Sequence, residues 1–78
     1  MTLEQFVGKS SKNEQFQITL NTIPLSGHYT HDEILMGMVK GLPPASECMV
    51  LKWFSLNDTP TTTYTFVDVR EVRYEEIY

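Results

Sequence analysis

Cysteine is almost absent from this chain. Cys48 stands alone in 78 residues, so no disulfide closes within the chain and no Cys-rich zinc site is available. Long apolar runs are absent too, and none approaches the roughly 20 residues of a membrane helix. The opening MTLEQFVGKSSKN lacks the basic start and apolar stretch of a secretory signal. With the lone thiol, this leads to the expectation of a reducing cytoplasm. Basic residues are scarce and scattered: Lys9, Lys12, Lys40, Lys52, Arg70 and Arg73 stand against 10 acidic residues, for a net charge of -4. That balance argues against unspecific nucleic-acid binding, which depends on neutralising phosphates. Gly8, Gly27, Gly37 and Gly41 have no phosphate-cradling spacing.

What is present is ordinary globular composition, 41% apolar and 21% charged. It excludes a disordered chain, a collagen-like repeat and a coiled coil. The length sets one domain, residues 1–78, and one so small buries only about 60% of the surface its unfolded chain exposes. Without a disulfide, association with another chain is the natural source of extra stability.

Leu3, Phe6 and Val7 at helical spacing after Thr2 predict a short helix over 2–8. Alternation of Phe16, Ile18 and Leu20 with Gln17, Thr19 and Asn21 predicts a half-buried strand over 15–23, closed by Pro24 and a turn at 25–27. Thr30-His31-Asp32-Glu33 reads as a capping box, and Ile34, Leu35 and Met38 continue one helical face. Gly41 and Pro43-Pro44 then stop the chain, which predicts the main helix over 31–40. Residues 47–56 read as a central strand with both faces apolar, and 62–74 as a last strand. A parity change after Val69 predicts a bulge near Arg70-Glu71, the alternative being a terminal helix from about 68. The tight turn between the last two strands makes them an antiparallel hairpin. The fold class is α+β: a three-stranded antiparallel-type sheet in β-α-β-β order under one main helix.

A ten-residue helix covers one face of such a sheet, yet strand 47–56 is apolar on two. Either Met49, Leu51 and Trp53 or Val50 and Phe54 stay uncovered. Three occupants compete for that face: segment 2–8 folded over it, a second copy, or another macromolecule.

Searching for chemistry yields little. His28 and His31 with Asp32 or Glu33 have weak metal spacing, and polar residues at a helix start explain them. Cys48 beside apolar neighbours reads as a small buried hydrophobe, not a nucleophile. Lys52, Trp53, Phe54, Tyr64 and Phe66 would suit a stacking platform for single strands if exposed, and are expected to build the core. No catalytic, cofactor or metal residue is assigned.

In size, charge and architecture the chain is similar to phage-encoded inhibitors of host machinery, anti-CRISPR proteins and polymerase inhibitors among them. The similarity covers no motif, so it carries over no residue. It implies a non-enzymatic protein that occupies a surface of a larger protein or nucleoprotein. The expected partner has a basic, nucleic-acid-binding face, set against an acidic edge of Asp68, Glu71, Glu75 and Glu76. The expected anchors are Trp53, Tyr74 and Tyr78. The alternative is a self-assembling structural subunit.

Overall fold

The computed structural model describes residues 1–57 and 62–72. The chain is a small mixed α+β domain. In order it forms helix α1 (Leu3–Gly8), strands β1 (Glu14–Leu20), β2 (Ile23–Pro24) and β3 (Tyr29–Thr30), and helix α2 (His31–Leu35). A 3-10 turn (Ala45–Glu47) then leads into strands β4 (Cys48–Asn57) and β5 (Thr63–Glu71).

The sheet holds five strands where the sequence predicts three. β4 and β5 form the expected antiparallel hairpin. β1 lies on the far side of β5 and runs parallel to it, from Glu14 opposite Thr63 to Leu20 opposite Val69. The two short strands share the outer edge of β1. β2 pairs at Thr19–Leu20 and β3 at Gln15–Phe16. Strand 15–23 therefore ends at Leu20, because Asn21 and Thr22 turn the chain back on itself with φ of 50° and 69°. Two consecutive left-handed residues make the two-residue hairpin turn that fits sheet twist.

Thr22 is β-branched and pays the steric cost of that conformation without glycine's freedom. Thr22→Gly is expected to raise stability by roughly 0.5–1 kcal/mol, read as a higher urea midpoint. An unchanged or lower midpoint would show that the turn carries no strain.

Both helices begin as local chemistry dictates. The Thr2 hydroxyl accepts the Gln5 N–H and the Gln5 side chain returns to the Thr2 N–H; Thr30 and Glu33 repeat the arrangement. The main helix nevertheless stops at Leu35, well before residue 40. Gly37, at φ 71°, takes the left-handed position just past the end. The Gly37 N–H donates to the Ile34 carbonyl, and the Met38 N–H donates to the Glu33 carbonyl. This paired closure satisfies the last carbonyls and ends the helix. Val39, released from helical phase, then turns into the core, where it is buried.

The bulge also moves. It lies in β4 between Val50 and Lys52, leaving Leu51 extra, and β5 continues regularly through Glu71 as a strand and not a helix. Of predicted strand 62–74, Thr62 and Val72 flank β5 without joining it, and residues 73–74 lie outside the described residues.

One core results: Leu3, Val7, Phe16, Ile18, Ile34, Val39, Ala45, Cys48, Val67 and Val69 form a single buried cluster. It draws on α1, α2, the 39–45 segment and one face of the sheet. Segment 2–8 does not close the second face, because α1 packs against α2, the 3-10 turn and β4 on the side the main helix already covers. Among the described residues no helix is long and apolar enough to cross a membrane.

Candidate functional site: a bare sheet face and an open edge

Sheet register sorts the side chains. Phe16 and Ile18 on β1 oppose Thr65 and Val67 on β5, and all four are buried on the covered face. Their alternates point the other way. Gln15, Gln17 and Thr19 on β1, Tyr64, Phe66, Asp68 and Arg70 on β5, and Lys52, Phe54 and Leu56 on β4 share the second face. No described helix lies over it.

Aromatic rings dominate that face. Phe54 and Phe66 stack across the two strands with centroids 4.8 Å apart and planes 14° from parallel. His28 meets Tyr64 edge-on at 5.4 Å. A hollow of about 390 Å³ opens between Gln15, His28, Leu56, Tyr64 and Phe66. Phe54 is 56% exposed and Leu56 54%. The expectation that these aromatics build the core therefore fails: Trp53 and Phe54 stay more than half exposed, and Tyr64 and Phe66 are only partly buried, outside the core cluster.

β4, expected from its two apolar faces to be central, is instead a sheet edge, because β1 pairs with the other side of β5. Its start is covered: Thr2 bridges Met49, and the Val50 N–H donates to the Met1 carbonyl at 3.0 Å. From Leu51 onward no described strand lies alongside. This stretch exposes Leu51, Trp53, Phe54 and Leu56 in succession.

The chain matches no protein family, no curated protein and no solved structure.

The residues picked out in sequence are partly dispersed. Trp53 opposes Val67 and so stands at the rim of the covered face, where it packs on Phe6 at 5.2 Å. Asp68 is on the bare face, with an oxygen 3.5 Å from the Lys52 ammonium. Both border one hollow of about 170 Å³, together with Lys52, Phe54 and Phe66. Glu71 shares the parity of Val69, so it lies off the bare face, and its N–H donates to the Asn21 side-chain oxygen at 3.1 Å. Tyr74, Glu75, Glu76 and Tyr78 lie outside the described residues. Tyr64 and Phe66, which the sequence offers as a stacking platform only if exposed, stand on this face with Leu56 and His28, which it does not offer as protein contacts. For Tyr64 and Phe66 the signal is their alternation along β5, which is assigned to a face only by the neighbours of that strand.

Buried polar groups are satisfied. Thr65, 1% exposed, donates its hydroxyl proton to a Glu14 carboxylate oxygen at 2.8 Å, which leaves Ser55 to donate to Thr65, also at 2.8 Å. Among the described residues no three His, Cys, Asp or Glu side chains gather as for a metal. His31 Nδ1 instead lies 2.9 Å from Asp32, and that contact holds the Asp32 carboxyl below its usual value.

Cys48 is the one nucleophilic group in the core. Its thiol donates to the Pro43 carbonyl at 3.7 Å. Burial pushes it up to about 11, with the Glu71 and Glu47 carboxylates adding to the effect. Because folding favours the neutral thiol, its contribution is complete below the ordinary value near 9 and is lost as pH rises toward 11. At pH 8 a disulfide reagent is expected to label native Cys48 at least ~100-fold more slowly than the denatured chain, since only the exposed thiolate reacts. Equal rates would show that the thiol is accessible and reactive.

Proposed function

We propose that this chain is a small non-enzymatic interaction protein that binds and blocks a surface of a larger protein or nucleoprotein partner through its bare sheet face. One observation carries the reading. Both helices pack on the same side, leaving the Phe54–Phe66 stack with Tyr64 and Leu56 uncovered. Soluble domains rarely leave contiguous apolar surface without use. Aromatic rings held on adjacent strands supply large contact area at little conformational cost, as interface anchors do.

The aromatic face also has the form of a base-stacking platform, but its electrostatics favour protein. Such platforms sit in a positively charged groove. Here the face carries Lys52, paired with Asp68, and Arg70 at its end, which is no continuous basic groove, and the chain as a whole carries a net charge of -4. Acidic character suits a partner whose own surface is basic, and complementary charge would speed encounter and select it.

Photocrosslinking tests the reading. A photoreactive side chain at Tyr64, one strand in from the β4 edge, should yield from lysate one discrete adduct with a protein other than this chain, unaffected by nuclease. An adduct abolished by nuclease would assign the face to nucleic acid, and labelling without a discrete adduct would remove the partner.

A further inference from the structure

We propose that the open edge of β4 pairs with the same edge of a second copy of this chain, antiparallel about a two-fold axis at Phe54, to give a homodimer with one continuous sheet.

An edge strand presents alternate unpaired N–H and C=O groups, and proteins usually guard it with bulges, charges or a covering segment. Here the guards sit at one end. The bulge lies at Leu51, and the Met1–Thr2 segment covers Met49 and Val50. Past the bulged Leu51, itself exposed, Trp53, Phe54 and Leu56 remain 54–56% exposed on a regular strand.

The open stretch fixes the register. It runs from Leu51, where the cover ends, to Asn57, where β4 ends, and its midpoint is Phe54. Antiparallel pairing about Phe54 sets Lys52 against the second copy's Leu56 and Trp53 against Ser55, with the bulged Leu51 beside Asn57 at the end of the ladder. The whole open stretch is used and the covered residues are untouched. Centring on Trp53 would bring Asn57 of one copy against Met49 of the other, where Thr2 already bridges.

Charge and shape agree with that choice. Lys52 is the single charged residue of β4. In the Phe54 register it faces a leucine, and the two lysines stand roughly 13 Å apart along the strand, against roughly 7 Å in the Trp53 register. Ser55 is small, and beside it lies a hollow of about 380 Å³ bounded by Met1, Phe6, Lys9, Ser10, Glu14 and the chain's own Trp53. The second copy's Trp53 would face Ser55 at the mouth of that hollow. Because the axis is perpendicular to the sheet, the helices of both copies stay on one side. The Phe66–Phe54 stack then continues into its symmetry mate.

The four exposed side chains offer roughly 400 Å² per copy. With the paired backbone the interface reaches the order of 1,000 Å², the low end for a specific complex. A reversible dimer is therefore expected.

Sedimentation equilibrium of the purified chain from about 1 μM to about 1 mM should show monomer passing to dimer. Leu56→Glu places a carboxylate against the second copy's Lys52 and should dimerise as tightly as the wild type or several-fold more tightly. Leu56→Lys places like charges together and should dimerise at least ~10-fold more weakly. Phe54→Cys should form an intermolecular disulfide under oxidation, and Trp53→Cys should not. A monomer throughout the range, equal weakening by both Leu56 variants, or a disulfide at position 53 alone would overturn the proposal. Capture of another protein by the bare face fails or stands separately. Phe66 lies one strand away from the dimer contact, so Phe66→Ser should leave the dimer intact.

Discussion

Phe16→Ala is expected to remove most of the stability of this domain. Phe16 is fully buried on β1, packs edge-on against Phe6 at 6.2 Å and belongs to the single core cluster. Truncating a buried phenylalanine costs about 3–5 kcal/mol, part transfer and part cavity. A domain of this length has about 4–12 kcal/mol in total. Urea unfolding at 25 °C should show the midpoint falling steeply, with a substantial unfolded fraction before any denaturant if the wild type sits at the lower end. Leu3→Ala, in α1, is expected to cost about 2–5 kcal/mol, because Leu3 is equally buried in the same cluster. A six-residue helix has little stability of its own, so this cost comes from tertiary packing. A loss below about 1 kcal/mol for Leu3→Ala would show that α1 is not part of the core.

The contrast between those residues and Phe54 marks where the sequence stops being legible. Local chemistry was readable: Thr2 and Thr30 as caps, alternation at Phe16, Ile18 and Leu20, and the hairpin of the last two strands. Each depends on residues a few positions apart. The parallel pairing of β1 with β5 joins segments about fifty residues apart and leaves no local trace, so the sheet was read as smaller than it is. Gly37 was read inside the helix because Met38 keeps the helical spacing, yet its left-handed backbone ends the helix. The face occupied by α1 was equally hidden. Leu3, Phe6 and Val7 specify an apolar stripe without saying which side of the sheet it meets. That choice decides whether Phe54 and Phe66 are core or surface, so the site depended on the least readable feature of the fold.

Phe66→Ser is expected to weaken capture of the partner by roughly 30-fold or more while leaving the fold intact. Phe66 is flanked on the bare face by Phe54 in a parallel stack and borders hollows on both sides. A central ring enclosed by other contacts is where binding energy concentrates, and 2 kcal/mol of lost anchor energy corresponds to that fold-change. The structural cost is smaller, about 1–2 kcal/mol, because Phe66 is only partly buried and loses chiefly its stack with Phe54. Asp68→Asn serves as the contrast on the same face. Its carboxylate meets Lys52 at 3.5 Å in partial exposure. An exposed pair contributes little affinity, so its loss should change binding by only about 3-fold and act mainly on the association rate and its salt dependence. Calorimetric titration against the partner recovered by crosslinking separates the two. If Phe66→Ser binds like the wild type while Asp68→Asn fails, charge holds the complex and the aromatic face is not the docking surface.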